Sequence, residues 1–220
     1  LKDSIIVVSG VTDTLAQGDY LSKGTGISIS QNYGDTWTYF AQPMDSIPVN
    51  DVYLYTDWYE QIIKQLAVTV AINNVAYDVT VSGDYIYTAN WAGGIRRMKF
   101  RNNIPIIEGE EFSWEILPLP QDGSYELNCD EILPDYYTLD PNDPVNGGNH
   151  NHKGFAVEAQ GDSIIWVGTA NGINKGNIHE NNCVSWTHYT SANYDISGNW
   201  VIGFAIQEFS NSSIPRIWAI

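Results

Sequence analysis

The sequence predicts an all-β fold assembled from similar four-stranded antiparallel units. Three observations carry this reading. Asp3-Ser4-Ile5-Ile6 recurs as Asp162-Ser163-Ile164-Ile165, and extending the match in both directions uncovers an internal repeat. Tight-turn sequences punctuate the chain at short intervals: Ser82-Gly83-Asp84, Gly93-Gly94, Gly161-Asp162 and Asn171-Gly172. Helical periodicity is nearly absent. The best run that shows it, residues 58–66, is about two turns long and reads as a short insertion helix.

Each full unit reads in the same order. An apolar strand leads through a Gly-Asp turn into a second strand ending in small residues. A Gly-rich turn follows, then a third strand and a fourth that carries Trp. The units span residues 1–42, 72–120, 152–192 and, in part, 198–220. Residues 43–71 and 121–151 are insertions, read as long irregular loops of the kind that carry function or move. The equivalent isoleucines Ile5, Ile86, Ile164 and Ile217 lie 81, 78 and 53 residues apart. The shortest spacing approaches the roughly 40–50 residues of a β-propeller blade. The expectation is a single β-propeller segment, an arc of three to four blades belonging to a larger propeller. On this reading the chain opens in the second strand of one blade and closes in the second strand of another. Propellers close to remove free edges, so further chain, partner material or self-assembly is expected to complete the ring.

Two stretches resemble known propeller families. Ser30-Gln31-Asn32-Tyr33-Gly34-Asp35-Thr36-Trp37 lies between two alternating apolar runs. Ser30 and Asn32 can bond turn backbone, Gly34 tolerates φ > 0, and Trp37 is expected to return under the hairpin. The spacing of Ser30, Asn32, Gly34, Thr36 and Trp37 resembles the Asp-box of sialidase-like and sortilin-like propellers, with Asn32 where Asp is usual. That resemblance implies a structural turn on the outside of a blade, not a reaction centre. Trp166-Val167-Gly168-Thr169, followed by Gly172, looks like the blade signature of two-component-regulator-type propellers. Such propellers occur in bacterial sensor ectodomains and large secreted proteins. Both resemblances bear on fold more than on function, because propellers host many functions.

Sialidases, which the Asp-box resembles, hold a substrate carboxylate with arginines drawn from separate blades. Here Arg96, Arg97 and Arg101 crowd one hairpin and Arg216 stands apart. No catalytic residue is carried across. No Gly-x-Ser-x-Gly elbow and no phosphate-binding glycine loop is present.

Charge narrows the partners. There are 10 Lys and Arg against 26 Asp and Glu, a formal net charge of −16. That balance repels phosphate backbones and anionic lipid, so nucleic acid is not an expected partner. No apolar run is long enough to cross a membrane, so no membrane insertion is expected, and no signal peptide is visible at Leu1. The acidic surface suits an extracellular or cell-surface setting, where salt screens self-repulsion. Cys129 and Cys183 lie in loop-like sequence and read either as a disulfide or as two free thiols.

Candidate sites fall mainly on the insertions. Trp58, Tyr59, Tyr136 and Tyr137 are read as exposed aromatics that stack on sugars or anchor a protein. Asp140, Asn142 and Asp143 are closely spaced oxygen ligands of the kind calcium prefers, although Pro141 and Pro144 break the EF-hand pattern. His150 and His152 read as members of a polar loop, and His179 and His188 as surface residues. Glu108, Glu110 and Glu111 read as a solvated turn. Trp37, Trp91, Trp114, Trp166 and Trp186 recur at related positions and read as packing between blades. The expected function is a non-catalytic module of a secreted or cell-surface bacterial protein. It would bind protein or glycan, or serve as a unit of an extracellular assembly, without a cofactor unless calcium occupies the Asp140 loop. The rival readings are a sialidase-like hydrolase with catalytic blades outside this chain and the ectodomain of a signalling receptor.

Overall fold

Turn chemistry and alternation give an all-β chain. The structure is a computed structural model that describes residues 5–16, 18–42, 44–45, 51–67, 72, 75–100, 113–129, 131–135, 137–210 and 212–220. Strands β1 (Ile6–Ala16), β2 (Asp19–Ser30) and β3 (Thr38–Phe40) form an antiparallel three-stranded sheet. Strands β4 (Tyr53–Trp58) and β5 (Gln61–Leu66) form a hairpin. Strands β6 (Ala76–Ser82), β7 (Tyr85–Asn90), β8 (Gly94–Lys99) and β9 (Trp114–Leu117) form a four-stranded antiparallel sheet in chain order. Strands β10 (Glu126–Leu127) and β11 (Thr138–Leu139) follow. A second meander contains β12 (Gly154–Gln160), β13 (Ile164–Thr169), β14 (Gly172–Ile178) and β15 (Val184–Tyr189), with β10 added outside β15. Strands β16 (Phe204–Phe209) and β17 (Ser212–Ala219) make a two-stranded sheet.

The sheets pack face to face. Ile27 and Ile29 of the first sheet meet Ile86 and Met98 of the second in one buried cluster. Tyr87, Ala89, Ile95 and Leu117 of the second sheet meet Val157, Ile165, Val167 and Trp186 of the third in a larger one. Each Ile or Val sealed there contributes about 1.5–3 kcal/mol. Between the third and fourth sheets, Val201 is buried and its carbonyl presses on Gly168, where a Cβ would lie 2.4 Å from that oxygen. The first strands of the second and third sheets run side by side in the same direction. Val157 N donates to Asp78 Oδ2 (2.9 Å) and Gly83 N to Asp162 Oδ1 (3.0 Å). Strand β12 also contacts β16. Strand β1 runs the opposite way: residues 5–7 face residues 79–81, and residues 9–11 face residues 75–77.

The loop between β2 and β3 is closed by its own side chains. Ser30 Oγ accepts from Gly34 N (2.8 Å) and Asn32 N (3.3 Å), and Asn32 Oδ1 accepts from Thr36 N (2.9 Å). Asn32 Nδ2 donates to Thr36 Oγ1 (3.0 Å), and Gly34 takes φ +97°. Trp37 does not fold under this hairpin. It lies over Gly34 and remains 48 % exposed.

Two further expectations change. Residues 58–66 form no helix: Trp58 ends β4, Tyr59 and Glu60 make the turn at φ +44° and +64°, and β5 returns. The insertions are also not separate irregular loops. Strand β11 pairs in parallel with β5, and Gln61 clamps the second insertion. Its Nε2 donates to Glu131 O (2.9 Å) and its Oε1 accepts from Leu133 N (2.8 Å). The two insertions thus fold together as a cap on the second and third sheets, with Trp58, Ile63, Tyr137 and Leu139 in the shared core.

Candidate recognition surface

The most prominent exposed site is a ridge of aromatic rings at one end of the sheets. A β-bulge adds one residue to a strand and re-aims its side chain. Such an irregularity falls between Ala76 and Asp78 in β6, and an equivalent one between Gly154 and Ala156 in β12. The extra residues are Tyr77 and Phe155. Their ring centroids are 6.1 Å apart. Trp91, in the turn after β7, lies 6.5 Å from Tyr77 and 5.3 Å from Phe155. Trp200, ahead of β16, lies 5.7 Å from Phe155. Tyr77 is 55 % and Trp200 65 % exposed, whereas Trp91 and Phe155 are half-buried.

Polar groups border the ridge. Lys153 Nζ stands 5.4 Å from the Trp91 ring centroid, a cation–π contact. Asn199, next to Trp200, accepts from Ser191 N and donates to Asn171 Oδ1 (3.2 Å), which fixes its orientation. On the other side of Tyr77 a groove of about 230 Å³ is lined by Ser9, Gly10, Ser22 and Val75. Rigid aromatic faces beside fixed amides and hydroxyls suit a ligand with apolar C–H faces and many hydroxyls.

The insertion aromatics are placed differently from the sequence expectation. Trp58 and Tyr137 are not exposed; both are 6 % accessible and belong to the core. The Tyr137 hydroxyl donates to Leu119 O, and burial raises the phenol above its ordinary range. Tyr59 is half-buried, edge-on to Trp58 at 5.4 Å. Tyr136, Arg101, Glu108, Glu110 and Glu111 lie outside the described residues.

The Asp140 loop uses its carboxylates on its own backbone. Asp140 Oδ1 accepts from Asn142 N (2.8 Å), and Asp143 Oδ1 caps a 3-10 turn by accepting from Val145 N (2.9 Å). Among the described residues, no group of three His, Cys, Asp or Glu side chains is arranged to hold a metal ion. His152 is buried, with Nδ1 accepting from Asp140 N (3.1 Å) and Nε2 facing Leu119 O (3.4 Å). Burial pushes it down to about 4. His188 is not a surface residue. It is fully buried, with Nδ1 2.8 Å from Ser124 O and Nε2 2.6 Å from Asn171 O. Cys129 and Cys183 form a disulfide, with Cα atoms 5.9 Å apart, that ties the cap to the start of β15.

The arginines are engaged apart from one another. Arg96 Nη2 pairs with Asp45 (2.8 Å), and Arg97 Nε with Glu115 (2.8 Å). Arg216 lies over the Phe209 and Trp218 rings. Asp78 and Glu158 line neighbouring strands, and burial raises both carboxyls. The Asp78 charge adds to the rise at Glu158. Comparisons with models of known protein families, with curated proteins and with solved structures return no match.

Proposed function

We propose that this chain is a non-catalytic recognition module, an arc of a β-propeller that binds a neutral glycan through the Tyr77–Trp91–Phe155–Trp200 ridge. The observation that carries the reading is the repeated bulge. Two successive sheets each insert one residue at the same place, and both inserted residues are aromatic and in contact in the ridge. A packing role would bury such rings, yet Tyr77 is 55 % exposed. Ring spacings of 5.3–6.1 Å around Phe155 suit stacking against successive sugar faces. The net charge of −16 disfavours acidic glycans. The propeller reading is supported by sheets packed face to face and by β6 and β12 running side by side. A secreted or cell-surface setting is supported by the disulfide. The engagement of Arg96 and Arg97 in ion pairs supports a binding role over sialidase-like chemistry.

The test is titration calorimetry against a panel of neutral oligosaccharides, with sialylated and sulfated ones alongside. Trp200→Ala and Tyr77→Ala are expected to weaken the best ligand by about 2 kcal/mol each, roughly thirtyfold, with the melting temperature unchanged for Tyr77→Ala and β16–β17 loosened for Trp200→Ala. Affinity for neutral glycans that is indifferent to both substitutions would overturn the reading. So would capture of a protein alone at this ridge, or turnover of a fluorogenic sialoside.

A further inference from the structure

The aromatic ridge is longer than one sugar. Its two most exposed rings stand at its ends, Tyr77 at 55 % and Trp200 at 65 %. Phe155 lies between them, 6.1 Å from Tyr77 and 5.7 Å from Trp200 by ring centroid. A pyranose has much the same footprint as a phenyl ring, so a single sugar covers one of these rings. A ligand that reaches both ends must pass over Phe155 and place three sugars in a row.

The three rings come from three different sheets, so the span between them has to be fixed between sheets. Tyr77 and Phe155 are fixed by β6 and β12, which run side by side through the Val157–Asp78 bond. Trp200 lies outside any strand, in the segment ahead of β16. Side-chain bonds hold that segment. Asn199 O accepts from Gly172 N (2.6 Å), and Asn199 Nδ2 donates to Asn171 Oδ1 (3.2 Å). Asn171 Nδ2 donates in turn to Asp122 Oδ1 (2.9 Å). The same carboxylate holds the segment that leads into β12. Asp122 Oδ1 accepts from Asn151 N and Oδ2 from His150 N, both at 2.9 Å, and Lys153 N donates to His150 O (3.1 Å). Asp122 N donates to Asn149 Oδ1 (2.8 Å) and closes the knot. One carboxylate of the cap thus ties the Trp200 end of the ridge to the Lys153–Phe155 end. Fixing rings before a ligand arrives removes an ordering cost from binding.

We infer that the ridge holds three consecutive sugars of a neutral oligo- or polysaccharide rather than a single sugar, and that Asp122 is the positioning residue that sets this span. The inference rests on the glycan reading and adds the size of the ligand to it. Asp122 touches no sugar; it acts through Asn171 and Asn199 on the place of Trp200.

The test uses this chain with β-1,3-, β-1,4- and α-1,4-linked gluco-oligosaccharides of one to six sugars, titrated by calorimetry. In the series that binds best, affinity is expected to rise about tenfold with each sugar up to three and to level off beyond. On Trp200→Ala the trisaccharide should bind no better than the disaccharide does on the parent chain. Asp122→Asn keeps the size of the side chain, but an amide accepts on one side only, so one arm of the tie is lost. It should weaken the trisaccharide about tenfold and leave the disaccharide, which Tyr77 and Phe155 still accommodate, unchanged. A general loss of structure would weaken both alike. Asn199→Ala cuts the tie at Trp200 and leaves the bonds of Asp122 to the cap intact. It should show the same length-selective loss, and it decides the matter where Asp122→Asn does not fold. Glucose bound as tightly as the trisaccharide would overturn the inference, and so would equal losses for two and three sugars in Asn199→Ala. In either case the glycan reading would stand as long as Trp200→Ala and Tyr77→Ala weaken binding. No binding of any series would sink both.

Discussion

His152 shows how one side chain sets a pH response. It sits in the cap, accepting from Asp140 N with no exposed surface to speak of (3 %). Burial disfavours the imidazolium and pushes the ring down to about 4, although the Asp122 and Asp140 carboxylates and the Leu119 carbonyl pull the other way. In the unfolded chain the ring titrates near 6.5. A base whose folded value is depressed contributes stability that is whole above about pH 6.5 and is lost as the pH falls through about 4. The difference corresponds to about 3 kcal/mol. Asp78 and Glu158 act in the opposite sense. Their carboxyls are raised, so their contribution is whole below the ordinary carboxylate range and declines as the pH rises. Both are partly solvated, so the histidine dominates. The urea midpoint is expected to fall as the pH drops from 7 to 4.5. His152→Gln, which keeps an acceptor for Asp140 N, should flatten that slope. Equal slopes for the two proteins would rule out His152 as its source.

At the level of elements, the cap is held by few but distant links, and this makes it sensitive to the disulfide. Cys129 and Cys183 are 54 residues apart in sequence, and closing such a loop restricts the unfolded chain by about 4 kcal/mol in the chain-entropy treatment. Replacing both with Ala should cost about 2–4 kcal/mol and speed exchange in β10 and β11 before β13. A loss under about 0.5 kcal/mol would show that strand pairing alone holds the cap. What the sequence reveals about these elements follows from distance along the chain. The turns at Gly83 and Gly161, the Ser30–Thr36 loop and the strand order of the second and third sheets depend on residues within about ten positions, and they are legible. The β4–β5 hairpin is not. Its residues carry a helical period, and its turn uses Tyr59 and Glu60 at positive φ, which neither prefers. Burial of Trp58 and Ile63 and the Gln61 clamp to Glu131 and Leu133 override that local preference. The ridge was not legible: Trp91 reads as packing between blades, and only the strand pairing reveals that Tyr77 and Phe155 are inserted residues. Trp58 and Tyr137 read as surface aromatics because nothing local announces the pairing of Thr138 with Lys64.

Across the whole molecule, stability is distributed unevenly. The second and third sheets share the larger core, and the disulfide-tied cap adds to it. The first sheet leans on a smaller cluster. No described side chain within β16 or β17 is buried, and Trp218 is half exposed. The fourth sheet is held mainly by Val201, whose N–H donates to Thr169 O (3.1 Å), and by Trp200 against Phe155. An isolated two-stranded sheet is marginal in water. The molecule should therefore open in steps, β16–β17 first, then β1–β3, and the central pair of sheets last. Amide exchange read by mass spectrometry is expected to be about a hundredfold or more faster in β16 and β17 than in β13 and β14. Trp200 links this ordering to the proposed glycan binding. A glycan stacked on both Phe155 and Trp200 would hold the fourth sheet against the third and slow its exchange, while leaving β1–β3 unchanged. Exchange in β16 and β17 as slow as in β13, with no ligand present, would mean that contacts outside the described residues secure the fourth sheet. The coupling between ridge and sheet would then fail with it.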